Sequence, residues 1–292
     1  MGALLCLFSA AAFGAMAIFG KLAYDAGVDV GEVLLVRFAL AAAVLAAVAA
    51  AAGQLQRLGR RAVVAGLLMG GVGYATQAGL YFLALERMDA SLLSLLLYTY
   101  PVMVTVAAVA IGRERATPLT LVALAVASAG TALVLAGAAT GALDPLATVM
   151  AIGAAAAYTA YILCGDRVVA GVPPLALASL VTAGATVTFS VVLLATTGPS
   201  LSFGAEGWLW AGAIALVSTV VAILAFFAGL ARVGPSTAAI LSTFEPPVTI
   251  ALAALAFGEA LSAVQLLGGA LVLGAVVALS LSAFRARPVA SV

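Results

Sequence analysis

The 292-residue chain contains no histidine, only two cysteines, and charged side chains at just 8% of its positions. Without histidine it lacks the usual neutral-pH switch and the commonest metal ligand. Cys6 and Cys164 both fall inside apolar runs with no paired spacing, so they read as small buried hydrophobes rather than a disulfide or metal pair. No cofactor or metal is expected. There is no basic tract and the net charge is +1, which argues against nucleic acid as a partner. A Walker-type loop is missing, so no built-in ATPase is expected. Neither a nucleophile–base constellation nor a pair of neighbouring deep carboxylates is present, which leaves an enzyme without support. Polar residues are too few to cover a soluble domain, since 66% of the chain is hydrophobic and its mean hydropathy is +1.29. The composition therefore describes an all-α integral membrane protein whose partner is the lipid bilayer.

A hydrocarbon core of about 30 Å takes about 20 apolar residues per helix. Cutting at charges, glycines and prolines gives ten segments: 3–24, 31–52, 62–85, 90–111, 117–137, 146–165, 173–197, 207–231, 235–257 and 262–284. The first has no basic n-region and exceeds a signal h-region, so it is expected to be retained. Alternate loops, with the C-terminus, carry Arg57, Arg60, Arg61, Arg113, Arg115, Arg167, Arg232, Arg285 and Arg287, while the others carry Lys21 and Arg87. This bias places both termini in the cytoplasm, with 285–292 as a short tail.

Shifting the sequence by 145 residues aligns LERMDASLLSLLLYTYPVMVTVAAVAIGRE (Leu85–Glu114) with LARVGPSTAAILSTFEPPVTIALAALAFGE (Leu230–Glu259). Arg87 then matches Arg232, Ser91 matches Ser236, Pro101 matches Pro246 and Glu114 matches Glu259, and Phe13 falls on Tyr158. Such a register divides the chain into repeats at 1–140 and 146–284 of five helices each. Because five is odd, the second enters the membrane from the opposite side. Inverted repeats are a signature of transporters that alternate access around a midplane site.

The stretch ARVGPSTAAILSTFEPPVTIALAALAFGEALSAVQLLGGALVLGAVVAL, with a weaker copy in LLYTYPVMVTVAAVAIGRERATPLTLVALAV, resembles the EamA family of the drug/metabolite transporter superfamily in its ten-helix form. On overall similarity and its tyrosine pattern, the chain is most similar to the bacterial exporters of aromatic amino acids. That resemblance implies a location in the cell inner membrane and a basket of helices. Helices 1, 3, 4, 6, 8 and 9 would line a central cavity, with helices 5 and 10 outside the path.

The candidate substrate-binding residues are the mid-helix polar ones. Tyr74, Gln77 and Tyr81 share one face of helix 3, and Tyr158 and Tyr161 share one of helix 6. Tyr98, Tyr100 and Ser242 lie at similar depth. Such a set can stack an aromatic ring and hydrogen-bond an amine or carboxylate, whereas the plain alternative is helix packing. Glu245 interrupts the apolar run beside Pro246 and Pro247, and its repeat counterpart is Tyr100. It suits binding of a substrate ammonium, proton exchange, or capping of a broken helix. Gly70, Gly71 and Gly73 form either a packing surface or a hinge, and Pro101, Pro246 and Pro247 break backbone hydrogen bonds and free a carbonyl near the midplane. Arg37, two turns inside helix 2, is expected to snorkel to the outer interface, the alternative being a carboxylate partner. Lys21, Asp25, Asp29 and Glu32 are expected to form a solvated rim. Of Phe226 and Phe227 on helix 8, one is expected to face lipid and the other the path.

These features favour a monomeric secondary exporter of amino acids, aromatic or bulky apolar ones, running down a gradient or against protons. A carrier of cationic drugs, polyamines or other small metabolites is the main competitor, and a passive channel fits the inverted halves less well.

Overall fold

The structure is a computed structural model that describes residues 1–56, 58–112, 117–138, 144–168, 171–196, 198 and 200–285. Arg57, Arg113, Glu114, Arg115, Arg287 and the rest of the 286–292 tail lie outside these residues, as do the side chains of Arg167, Ser236 and Arg285. Among the described residues all regular structure is helical, in ten rods: α1 (Gly2–Asp25), α2 (Val30–Ala51), α3 (Arg60–Leu85), α4 (Ala90–Ala110), α5 (Pro118–Ala138), α6 (Pro145–Val168), α7 (Pro174–Ala195), α8 (Ala205–Val233), α9 (235–257) and α10 (Ala263–Arg285). Rods α1 to α9 are long and apolar enough to cross a membrane, whereas the apolar described stretch of α10 is Ala263–Leu279.

Packing repeats with the sequence. Rod α1 lies on α8 and α9, and its repeat equivalent α6 lies on α3 and α4. Rods α2 and α7, equivalent in the two repeats, pack on each other, as do the equivalent pair α5 and α10. The α3–α7 and α5–α10 contacts use glycine. Bare backbones meet where Gly70 of α3 and Gly184 of α7 abut Val181 and Leu67 carbonyls, and where Gly130 of α5 faces Gly268 of α10.

Several rods are irregular: α1 is interrupted at Ala15, and the other irregularities come in pairs. Rod α4 breaks at Tyr98–Thr99 and α9 at Thr243–Phe244, positions 145 residues apart. Rods α3 and α8 each contain one π-helical stretch, Met69–Tyr74 and Leu216–Val221. Pro101 and Pro246 are not at the break itself but inside the first turn after it, where a missing N–H costs nothing. Carbonyls freed at such points need partners because lipid supplies none. Neighbouring hydroxyls meet them: Thr188 Oγ1 donates to Gly71 O (2.6 Å), Ser9 Oγ to Ala222 O (2.7 Å) and Thr249 Oγ1 to Gly14 O (3.0 Å).

The expected rim beside Lys21 is only partly solvated. Asp25 and Asp29 are exposed, but Glu32 is buried and accepts from Ser200 Oγ (2.7 Å) and the Leu201 N–H (3.0 Å). Lys21 Nζ lies 2.8 Å from Glu259 Oε1. Glu259 also caps α4, accepting from the Ala90 and Ser91 N–H groups and from Ser91 Oγ (3.0, 2.9 and 2.8 Å), a service the N-cap residue Asp89 does not provide. These contacts tie the two halves together at the Lys21 end. Burial pushes the Glu259 carboxyl pKa up, but Lys21 and the Ser91 and Ala90 donors outweigh it and hold it below the ordinary value. A lowered folded pKa means that this stabilisation is present above the unfolded value, about 4.3, and is lost as pH falls through the folded one. Glu259→Gln is therefore expected to cost about 2 kcal/mol at pH 7 and to flatten the acid side of a stability–pH profile in detergent. A wild-type profile in that variant would deny the clasp.

Candidate functional site

Near the middle of the bundle, α1, α2, α3, α4, α6 and α9 enclose a cavity of about 120 Å³. Its walls include Phe13, Arg37, Tyr74, Gln77, Tyr81, Tyr98, Tyr100, Tyr158 and Glu245. Seven of the nine residues expected at the site from sequence therefore line one space. Rings form most of the wall: Tyr100 and Tyr158 have centroids 4.5 Å apart, and Tyr98 meets Tyr100 edge-on at 5.8 Å. The side chains of Gln77, Tyr81, Tyr100 and Tyr158 face this space without a protein hydrogen-bond partner among the described residues. Polar atoms that open onto a cavity in that condition are suited to meeting a polar ligand.

The other two expected residues sit elsewhere. The Ser242 hydroxyl donates back to the Ala238 carbonyl (3.0 Å) and lines no part of the cavity. Tyr161 stacks on Tyr158 (6.1 Å) and meets Tyr74 (5.8 Å), but its exposed side belongs to a separate groove between α3 and α6. Phe226 and Phe227 touch each other and line neither space.

Arg37 departs from expectation most. Instead of snorkelling outward it is 2% exposed and turns into the bundle, because polar partners wait there. Its Nε donates to Thr219 Oγ1 (3.0 Å) and its Nη2 to the Tyr74 hydroxyl (3.1 Å). Residues 74 and 219 are 145 apart, so the guanidinium bridges equivalent positions of the two halves. The rings of Phe38, Phe82 and Tyr74 flank it at 4.8, 5.5 and 5.9 Å. Among the described residues no carboxylate lies within salt-bridge distance of it.

At another part of the wall stands Glu245. Its Oε2 is 2.9 Å from the Tyr98 hydroxyl, which also lies 2.7 Å from the Ser242 carbonyl. That carbonyl loses its helical donor where α9 breaks at Thr243–Phe244, and Pro246, four residues on, has no N–H to offer it, so α4 fills the place. Tyr98 has a single hydroxyl proton for two acceptors. Both contacts are satisfied when Glu245 carries a proton and donates it; an ionised Glu245 competes with Ser242 for the same hydrogen.

Thr219, Phe13 and Met16 were not anticipated. The repeat held the signal: Phe13 matches Tyr158 and Thr219 matches Tyr74, and all four are at or against the cavity. Rod α2 contributes Arg37 although the resemblance placed helix 2 outside the lining, and α8 reaches the site through Thr219, behind Arg37. Rods α5 and α10 take no part.

A model of the EamA-like transporter family matches residues 1–136 and again 145–281. Among solved structures, a crystal structure described only as that of a protein superposes with a TM-score of 0.68 at 19% identity, over 97% of this chain and 99% of that one. At this identity the likeness speaks for the fold alone. No curated protein matches the sequence. The chain belongs to the EamA-like transporter family, part of the drug/metabolite transporter superfamily, and is a multi-pass membrane transporter rather than an enzyme.

Proposed function

We propose that the protein exports amino acids, aromatic or bulky apolar ones, across the cell inner membrane by alternating access around the central cavity. The observation that carries this reading is the pairing of a buried guanidinium, Arg37, with a carboxyl group, Glu245, on the wall of one tyrosine-lined cavity. A zwitterion needs both poles: Arg37 for its carboxylate and Glu245 for its ammonium, with the rings of Tyr81, Tyr98, Tyr100 and Tyr158 around the side chain. Ten spanning helices in two inverted halves, both termini cytoplasmic and a monomeric unit complete the proposal, the orientation resting on the arginine bias.

The cavity volume of about 120 Å³ is smaller than the ~300 Å³ at which small-molecule pockets begin, so a ligand enters only when helices move. The paired breaks in α4 and α9 and the π-helical stretches in α3 and α8 are the places for that movement, with Gly73, Pro101, Pro246 and Pro247 in or beside them. Gly70 and Gly71 pack against α7 and act there as contact surface. The proton shared by Tyr98, Ser242 and Glu245 supplies a route for coupling, since an arriving ammonium favours the ionised carboxylate.

Counterflow in proteoliposomes tests this reading. Labelled phenylalanine is expected to accumulate against preloaded aromatic and large apolar amino acids, and not against small or acidic ones. Accumulation driven only by cationic drugs would shift the assignment to the competing substrate class. Glu245→Gln is expected to abolish acceleration by a pH gradient and to leave counterflow measurable; an unchanged pH response removes Glu245 from coupling.

A further inference from the structure

A second concavity, larger than the central one, lies apart from it. Between α3 and α6 runs a groove of about 1050 Å³, walled on one side by Val64, Leu68, Val72 and Thr76 and on the other by Ala157, Ala160 and Cys164. The α3 positions recur every fourth residue, and all four are exposed, as is Cys164. This corrects the sequence reading of Cys164 as buried. The α6 side carries small residues, which leave the space between the two rods unfilled, while Gly73 lets the Tyr161 ring rest against α3 at the floor. At one mouth stand Arg60 and Arg61, both exposed and both without a carboxylate partner among the described residues.

We propose that this groove is a binding site for one anionic phospholipid, its phosphate held by Arg60 and Arg61 and an acyl chain lying along Val64, Leu68 and Val72. Charge and shape select that occupant. Two guanidiniums where α3 begins, without a carboxylate partner among the described residues, match a phosphate with bidentate geometry and attract anionic headgroups at a membrane surface. From Arg60 to Thr76 the helix rises about 24 Å at ~1.5 Å per residue, most of a ~30 Å hydrocarbon core, so head and chain are served by one continuous slot. A soluble anion would use the arginines but leave the apolar walls bare. The chain end rests near Tyr161, whose other side touches Tyr74 and Tyr158 of the cavity wall.

The test uses quenching of a tryptophan placed in the groove. Leu68→Trp is made in a full-length protein with Trp208 and Trp210 changed to phenylalanine, reconstituted in phosphatidylcholine with a rising fraction of phosphatidylglycerol whose chains are brominated. Half-maximal quenching is expected at a phosphatidylglycerol fraction about tenfold below that needed when brominated phosphatidylcholine is titrated instead. The preference is expected to vanish in the R60Q/R61Q variant. Equal quenching by the two lipids, or a preference that survives loss of both arginines, overturns the proposal. A tryptophan at Val149, exposed on the same rod as Cys164 but outside the groove, serves as the reference and should show no preference; the same preference there also overturns it.

Discussion

Arg37→Gln is expected to raise the phenylalanine concentration needed for half-maximal counterflow about a hundredfold, while Arg37→Lys recovers part of the loss. The wild-type guanidinium is buried, uses one N–H on Thr219 and one on Tyr74, and meets no carboxylate among the described residues. Truncating one partner of a buried hydrogen-bonded charge pair costs about 2–5 kcal/mol, and ~2.7 kcal/mol is a hundredfold. Lysine keeps the charge but not the fork that engages a carboxylate with two hydrogen bonds. A structural role alone predicts a different pattern. Phenethylamine, which has the ring and ammonium of phenylalanine without its carboxylate, would then lose binding in step with phenylalanine. The account expects phenethylamine, weak in the wild type, to be unchanged by the substitution.

Gly184→Val is expected to destabilise the protein by about 3 kcal/mol or more. A Cβ at this position collides with the Leu67 carbonyl and comes within 2.8 Å of the Gly71 N, and both are backbone atoms that no rotamer change can move. Gly70 faces the same seam, with the Val181 carbonyl in the way. Relief requires α3 to separate from α7, which also pulls Gly71 O from the Thr188 hydroxyl and disturbs the π-helical stretch that carries Tyr74. Gly274→Ala is the matched control: nothing lies within 4 Å of its would-be Cβ, so alanine is expected to be neutral or stabilising by up to about 1 kcal/mol. Thermal unfolding in detergent compares the two. Equal melting temperatures would show that the seam yields without cost.

Where the sequence was legible, it was through periodicity and the repeat. Helical segments follow from apolar run lengths, and the 145-residue register places the breaks of α4 and α9 at equivalent residues. Tyr74, Gln77 and Tyr81 share the face that spacing assigns them, and they line the cavity. What resisted reading depends on partners distant in sequence. Arg37 lies at a depth that permits either snorkelling or inward pairing, and only Thr219, 182 residues away, decides between them. Lys21 and Glu32 look like rim charges until Glu259 and Ser200 arrive from the other half. Cys164 reads as buried because its neighbours are apolar, yet the space between α3 and α6 beside it is unfilled. Ser242 meets Tyr98 through its carbonyl rather than its hydroxyl, a contact that a side-chain reading does not reach. Phe13 was visible as the match of Tyr158, but a phenylalanine in an apolar helix gives no polar cue.

The central claim is a cavity with two poles, and the most direct measurement is counterflow by wild-type protein of phenylalanine against analogues that lack one pole each. Proteoliposomes are loaded in turn with phenylalanine, phenethylamine or 3-phenylpropionate, and offered labelled phenylalanine outside. The account predicts strong accumulation with phenylalanine inside and at least about tenfold less with either analogue, because Arg37 and Glu245 each lose their partner. Accumulation driven equally well by phenethylamine would contradict it, leaving Glu245 as the recognition group and a cation as the substrate.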